Sequence, residues 1–205
     1  MPGKNIVKLY SADSYYHVYT RGANKQDVFK DEDDYVVFIS LFKRYLSSSA
    51  QISTARVPYP NYHSNIDILV YCLMPNHIHL LLHQKEMDDL ARFMRSLMTS
   101  YSMYFNRKYS HVGPVFQSRY KAILIENDAY YQHISRYIHL NPTNWIDYPY
   151  SSLVHYRSHN PPEWLNTKTV LEMFNDNIGE YLTFLRDYIP SKKELASIKK
   201  LLADQ

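Results

Sequence analysis

Two apolar runs lie close together near the middle of the chain. The first covers residues 66–73 (IDILVYCL) and the second covers residues 77–83 (HIHLLLH), with only the tripeptide MPN between them. A Pro-Asn pair favours a turn, and apolar runs of this length are typical of buried strands. A connection this short joins strands that run in opposite directions. The sequence therefore predicts an antiparallel β-hairpin near the centre of the fold.

The remaining elements place this hairpin in an α+β fold. Alternating or β-prone segments predict strands over residues 15–21 and 119–126. Apolar residues at three- and four-residue steps predict helices over residues 31–48, 88–109 and 129–140. The resulting order, β-α-β-β-α-β-α, favours a ferredoxin-like (RRM-like) antiparallel sheet with helices packed on one face over a doubly wound parallel sheet.

The pattern changes after about residue 150. We predict one main domain over residues 1–150 and a helical C-terminal extension over residues 151–205. Short polar-rich helices are expected within the extension at residues 167–174, 179–188 and 192–203.

Composition limits the class of protein. Hydrophobic residues make up 45% of the chain and charged residues 21%, which is ordinary for a globular protein. No apolar run approaches the roughly 20 residues that span a bilayer, and the N-terminal segment lacks the apolar core of a signal peptide. We therefore expect a cytoplasmic protein with no membrane association. The single cysteine, Cys72, excludes an internal disulfide and is expected to be a buried packing residue, so any metal must use His, Asn, Gln or carboxylate ligands.

The distribution of charge and the number of tyrosines are both unusual. The net charge of +3 is small, but residues 92–136 contain seven basic and two acidic residues, an excess of five. The chain also has 21 tyrosines, whose rings suit core packing, base stacking and nucleophilic attack.

The second strand of the hairpin carries three histidines. Because strand side chains alternate between faces, His77, His79 and His83 share one face with Leu81, while the aliphatic residues between them face the core. His77 and His79 are about 6.6 Å apart along the strand, close enough to converge on one ion, whereas His83 lies about 13 Å beyond His79. Two histidines leave most of an ion's coordination open, so further ligands must come from elsewhere.

The third helix offers such a ligand and a nucleophile. Asp128 is a candidate N-cap, and Pro142 should end the helix near Asn141. Tyr137 and Asn141 are four residues apart and share a helix face. If that face packs on the histidines, Asn141 can supply an amide oxygen to a metal while Tyr137 directs its hydroxyl at the same centre. This arrangement suits phosphoryl transfer to a tyrosine, because a divalent ion can activate the phosphodiester.

Three functions are consistent with these residues. The first is a metal-dependent enzyme that transfers a phosphodiester to a tyrosine. The second is a nucleic-acid binding module without catalysis, because an isolated His-x-His is more often structural and most of the tyrosines must be packing or surface residues. The third is a hydrolase in which His77 and His79 bind zinc and water is the nucleophile.

Four segments resemble, in order, the landmarks of one family. They are YHVYTRGANKQDVF, YCLMPNHIHLLLH, GPVFQSRYKAILIE and YIHLNP, and together they lie within residues 16–156. This set resembles the single-tyrosine HUH transposases, and the closest group looks like the REP-associated relatives of insertion-sequence transposases. The stretch YPYSSLVHY that follows has tyrosine where the family often has tryptophan.

The resemblance implies specific roles. The HUH motif falls on His77, Ile78 and His79, the nucleophile on Tyr137 and the remaining metal ligand on Asn141. It implies a ferredoxin-like domain, Mg²⁺ or Mn²⁺, and cleavage and rejoining of single-stranded DNA at a hairpin (REP-like or inverted-repeat) through a 5′-phosphotyrosine. It also allows a homodimer. On this basis several basic residues are expected to contact DNA phosphates, which position a substrate without reading its sequence. They are Arg21, Lys25, Arg95, Arg119, Lys121 and Arg136.

Overall fold

The computed structural model describes residues 10–158 and 160–188. Four strands form one antiparallel sheet in the order β2-β3-β1-β4, comprising β1 (Ser14–Arg21), β2 (Ile66–Met74), β3 (His77–Gln84) and β4 (Lys121–Ile125). Strands β2 and β3 are the two arms of the hairpin predicted from the apolar runs, and the Pro75-Asn76 turn joins them. The α+β class and the antiparallel sheet are confirmed.

Three helices follow the predicted pattern closely. They are α1 (Glu32–Leu46), α2 (Asp89–Tyr109) and α3 (Asp128–His139). Asp31 caps α1 by accepting a hydrogen bond from the Asp34 backbone, and the Asp34 side chain completes a capping box. The prediction that Asp128 caps α3 is wrong by one residue. Asn127 is the N-cap, and its side chain accepts from the Tyr130 backbone, because Asn and Asp are equally suited to that position.

One face of the sheet packs against α1 and α2. The aliphatic side chains of β3, Ile78, Leu80 and Leu82, join a core that includes fully buried Phe38 of α1 and Phe93 of α2. We refer to this side of the sheet as the helix-pair face. The prediction that the aliphatic side chains of β3 face the core, on alternate positions from the histidines, is confirmed.

The opposite face, which we call the histidine face, is also covered. Here α3 and the C-terminal residues enclose a second core around Val70, Cys72 and Leu81. The expected packing of helices on one face holds for α1 and α2 only. The physical reason is that β2 and β3 are apolar on both sides, so a second layer is needed to exclude water from Val70, Cys72 and Leu81.

The C-terminal extension contributes much of this second layer. It contains α4 (Leu153–Tyr156), α5 (Lys168–Leu171), a 3-10 turn (Glu172–Phe174) and α6 (Ile178–Arg186). The predicted helix over 167–174 corresponds to α5 with its 3-10 turn, and that over 179–188 to α6, while α4 was not predicted. The predicted helix over 192–203 lies outside the described residues, and the division at residue 150 remains a prediction.

Backbone contacts attach the extension to strand β2. Ser151 bridges to Cys72 and Leu165 bridges to Ile68, and the Tyr156 hydroxyl donates a hydrogen bond to the Leu69 carbonyl over 2.7 Å. Cys72 is completely buried, as expected. None of the helices in the described ranges is long and apolar enough to cross a bilayer.

Candidate metal and tyrosine site

The turn before His77 is held in place by the loop that follows β1. The Gly22 backbone N–H donates to the Asn76 carbonyl over 2.9 Å, and the Val28 N–H donates to the Pro75 carbonyl over 2.7 Å. A Cβ atom on Gly22 would lie 2.1 Å from the Gln26 carbonyl oxygen, so only glycine allows this close approach. The loop after β1 thus fixes where the histidine strand begins.

His77 faces the end of α3. Its Nε2 lies 3.1 Å from Oδ1 of Asn141, and its Nδ1 lies 2.7 Å from Oδ1 of Asn76. A neutral imidazole has one N–H and cannot donate to both oxygens. The pKa of His77 is lowered, mainly by burial. The hydrogen bond with Asn141 opposes this shift, and the positive charge of Arg21 adds to it. A neutral ring that donates from Nδ1 to Asn76 would present an unprotonated Nε2 beside an amide oxygen, which is an arrangement that a cation would stabilise.

His79 is buried and contacts a third histidine. Its Nδ1 lies 3.0 Å from Nε2 of His17, which lies on the neighbouring strand β1. If His79 donates its Nδ1 proton to His17, its Nε2 carries the free lone pair that a metal needs. Burial lowers the pKa of His17 to about 3 and holds the pKa of His79 well below its usual value, with the nearby His17 and His77 lowering it further. Both rings are therefore neutral at neutral pH.

His17 is a residue that the sequence analysis did not single out. It is completely buried, and its Nδ1 has no hydrogen-bond partner among the described residues. Leaving a buried polar atom unpaired costs about 1–3 kcal/mol. The available signal was the alternation in YYHVYTR, which places His17 and Tyr19 on one face, but linking them to His79 required knowing that β1 lies beside β3.

Tyr137 packs against the histidines. Its ring is edge-to-face with His79 at a centroid distance of 5.4 Å and with His17 at 6.0 Å. Burial raises the pKa of Tyr137, and a hydrogen bond with the Asn141 side chain partly lowers it. The phenol is therefore protonated at neutral pH, and the side chain is only 7% exposed.

Asn141 lies just beyond the helix that was expected to carry it. Helix α3 ends at His139, but the Asn141 N–H still donates to the Ile138 carbonyl over 3.3 Å, so the final turn keeps its curvature. The predicted meeting of His77, His79, Tyr137 and Asn141 is present in the structure. His83 lies apart from them and contacts Asp13 and Asp67 at 2.9 and 3.3 Å.

The basic residues expected to contact DNA separate into three places. Arg21 and Lys25 are exposed near the start of β3, and the Lys121 ammonium lies 5.8 Å from the ring centroid of Tyr19, beside His79. Arg95 and Arg119 line a groove next to α2, away from the histidines.

Arg136 occupies the third place and does not fit the expectation. Its side chain is buried, with the guanidinium 3.7 Å from the ring centroid of Tyr188 and 4.2 Å from that of Phe184. It also donates to His133 over 2.7 Å. The expected contact of Arg136 with DNA is not supported, because residues of the extension cover this arginine.

The side chains present restrict which metal ion the site could hold. Within residues 10–158 and 160–188, no group of three or more His, Cys, Asp or Glu side chains could hold a metal. The Asn141 amide oxygen, 3.1 Å from His77 Nε2, is the protein oxygen placed to join the two histidines around an ion. Oxygen ligands suit Mg²⁺ and Mn²⁺ whereas imidazole favours transition metals, so this mixed set fits Mn²⁺ better than Mg²⁺.

Comparisons with known proteins identify a family for this chain. The model of a family described as IS200-like transposases matches residues 10–141, more than half of the chain. No curated protein gave a significant match. A similar solved structure is that of a REP-associated tyrosine transposase bound to a REP hairpin, with a TM-score of 0.53, 15% identity, and coverage of 80% of this chain and 91% of that one.

A second solved structure is less similar. It is described as a transposase from Deinococcus radiodurans R1, with a TM-score of 0.39 and 14% identity over 65% of this chain and 92% of that one. At these identities the structural likeness concerns the fold alone.

Proposed function

This chain belongs to the IS200-like transposase family, and from that premise we propose that it cuts and rejoins single-stranded DNA with Tyr137 as the nucleophile. The observation that carries the proposal is the convergence of His77, His79, Asn141 and Tyr137 from a strand and a helix far apart in sequence. A structural histidine pair would not require a tyrosine and an amide at the same place.

The proposed reaction is a transesterification. The Tyr137 oxygen attacks the scissile phosphorus as its phenolic proton is lost, and the bond from phosphorus to the 3′ oxygen breaks. The 3′ oxygen leaves with a proton as a free hydroxyl, and the 5′ phosphate remains esterified to Tyr137. Attack by a 3′-hydroxyl on this phosphotyrosine reverses the step and rejoins DNA, so the reaction consumes no external energy source.

A divalent cation, Mn²⁺ or Mg²⁺, would be held by His77, His79 and Asn141. When bound, it supplies charge neutralisation at the phosphate oxygens and polarises the phosphorus. His17 orients His79 through the 3.0 Å contact and selects the tautomer that leaves Nε2 available. Asn141 contacts both His77 and Tyr137, so one side chain aligns the ligand set with the nucleophile.

The proposed substrate is single-stranded DNA that contains a hairpin. Support comes from the REP-associated transposase that was solved with a REP hairpin. In this chain, Arg21 lies opposite His77 in the pairing of β1 with β3, the Asn76 side chain donates to the Lys25 carbonyl, and the Lys121 ammonium lies over the ring of Tyr19. These three side chains are proposed to bind phosphates of the substrate. A homodimer remains a prediction that light scattering of the free protein and of its DNA complex would test.

The experiment is trapping of the covalent intermediate. The full chain is incubated with a hairpin-bearing oligonucleotide labelled on the 3′ side of the cut, with Mn²⁺ or Mg²⁺, and resolved by denaturing electrophoresis. We expect a labelled protein band that Tyr137→Phe and chelation abolish. Tyr130→Phe, a change of the same kind on the same helix, should retain the band. An undiminished band in Tyr137→Phe would refute the assignment.

A second candidate function is nucleic-acid binding without catalysis. The observation in its favour is the burial of Tyr137, whose raised pKa works against attack until the phosphate is bound and the proton is removed. This alternative predicts salt-sensitive hairpin binding that survives His77→Ala and His79→Ala, with no covalent band under any metal.

A further inference from the structure

A groove lies on the helix-pair face, on the other side of the sheet from Tyr137. It has a volume of about 820 Å³ and runs between α2 and the segment of residues 113–120 that leads into β4. This segment starts at Gly113, whose φ of 107° is strained for other residues. None of the described residues that line the groove belongs to the tyrosine site.

The charge of the groove is entirely positive among the described residues. Arg95 and Arg119 line it, and no described residue that lines it is acidic. Neither arginine forms an ion pair in the described ranges, whereas Arg92, one turn earlier on α2, pairs with Asp89 at 3.5 Å. Both arginines line the groove together with Tyr120, whose pKa is raised by burial and lowered by the charges of Arg119 and Arg95. The groove is thus lined by two positive charges that have no acidic partner among the described residues.

The rest of the groove surface mixes apolar and aromatic residues with the uncharged polar residues Thr99, Ser102, Asn106 and Ser118. Met103 is 69% exposed even though it lines the groove with Met98. The hydroxyls of Tyr10 and Tyr120 are 2.6 Å apart, and Tyr10 packs edge-to-face against Tyr16 with ring centroids 5.6 Å apart. Tyrosine and thioether groups beside paired arginines are suited to an unpaired base with its phosphates.

The groove connects to the tyrosine site around one edge of the sheet. Strand β4 is the edge strand, and the consecutive residues Tyr120 and Lys121 point to opposite sides of it. Tyr120 lines the groove, while the Lys121 ammonium lies over the ring of Tyr19, which stacks on His79. A nucleic-acid strand that crosses the β4 edge would therefore meet positive charge on both faces.

We propose that this groove binds unpaired nucleotides of the same DNA strand whose scissile phosphate is presented to Tyr137. Arg95 and Arg119 bind the phosphates, and Met98, Met103 and the tyrosine pair contact a base. The inference rests on the proposed function and adds a second region that binds the single-stranded part of the substrate. Nucleic acid is favoured over an apolar peptide because both charged side chains are cationic and have no acidic partner within the described ranges.

The first test compares hairpin DNA with and without a single-stranded flank. We expect the flank to increase affinity in fluorescence anisotropy, and the double variant Arg95→Gln/Arg119→Gln to lose most of that increase while binding the blunt hairpin normally. The log-log slope of its affinity against salt should become shallower by about 0.7 for each phosphate that the arginines no longer neutralise. Arg92→Gln is the matched control on α2 and should behave as wild type. Equal weakening for both DNAs would overturn the proposal.

The second test changes the sign of charge at an exposed position. Met103→Glu should weaken binding of the flanked DNA by roughly tenfold because it places a negative charge beside the phosphates, whereas Met103→Lys should preserve or strengthen binding because an ammonium attracts them. Met87→Glu, at a residue that is 57% exposed and does not line the groove, is the control. Equal weakening by Glu and Lys would indicate an apolar partner and contradict the proposal.

These measurements separate two kinds of failure. If the wild-type chain forms no covalent band but the flank still increases affinity through Arg95 and Arg119, the proposed chemistry is wrong and the groove proposal stands. If the band forms and the flank effect is the same in the double variant, the groove proposal is wrong and the chemistry stands.

Discussion

The two faces of the sheet use the same strands for different purposes. On the helix-pair face, β3 contributes Ile78, Leu80 and Leu82 to a core of aliphatic and aromatic side chains. On the histidine face, the residues between them place His77 and His79 beside His17 and Tyr137. A strand period of two allows this division. One strand can therefore hold closely spaced, neutral histidines on one face while its alternate residues pack in the core on the other.

The largest expected effect comes from breaking the helix-pair core. Phe93→Ala removes a fully buried ring of α2 and should lower the free energy of unfolding by about 3–5 kcal/mol. Urea denaturation measures this loss, and the covalent band per folded molecule should be unchanged. Val36→Ala, at a residue that is 61% exposed on α1, should have little effect. A loss of catalysis in folded Phe93→Ala would mean that the two faces are coupled.

Removing a proposed metal ligand should lower catalysis strongly and change stability little, the reverse of Phe93→Ala. His77→Ala deletes one of the three proposed donors and should reduce the covalent band about 100-fold or more, since the outer-shell partners of metal ligands alone contribute about 10–100-fold. The unfolding midpoint should change little because His77 is only partly buried. His63→Ala serves as the control histidine. Wild-type yields from His77→Ala at limiting Mn²⁺ would exclude it as a ligand.

A smaller effect is expected for the residue that supports His79. His17→Leu should weaken Mn²⁺ binding, measured by calorimetry, about 10–100-fold because His79 loses the acceptor that fixes its tautomer. His17→Gln keeps an acceptor near the position of Nε2 and should recover part of the affinity. Equal Mn²⁺ affinity in His17→Leu and wild type would show that His17 only packs.

The smallest effect concerns the far end of the same strand. The hydrogen bond with Asp67 raises the pKa of His83 above 6.5, opposed by partial burial and supported by Asp13. The charged pair therefore contributes stability below pH 6.5, and this contribution disappears as the pH rises through the folded pKa. His83→Gln should cost at most about 1 kcal/mol in mild acid and nothing in base, by urea denaturation. A constant difference at all pH values would indicate packing instead.

Local sequence patterns predicted the strands, the three main helices and the spacing of the site residues. The hairpin followed from two apolar runs and a turn, and the relation of Tyr137 to Asn141 followed from helical periodicity. These features depend on neighbours within a few residues, which is why one sequence was sufficient.

Features that depend on long-range packing were not predicted. The contact of His17 with His79 depends on the register of β1 against β3, and the burial of Arg136 depends on Phe184 and Tyr188. The second covered face likewise depends on where the extension packs. No local pattern encodes these choices, since each joins segments separated by many residues.

The bridges between the extension and β2 have a consequence for self-association. Ser151 and Leu165 occupy backbone positions along the outer edge of β2, so another chain cannot readily lengthen the sheet there. In the part of the chain that the structure describes, the opposite boundary is β4, which spans only Lys121–Ile125 and pairs with β1 alone. A short edge strand is a poor template for pairing with another chain, so neither boundary of the sheet in the described residues offers a long unpaired strand edge.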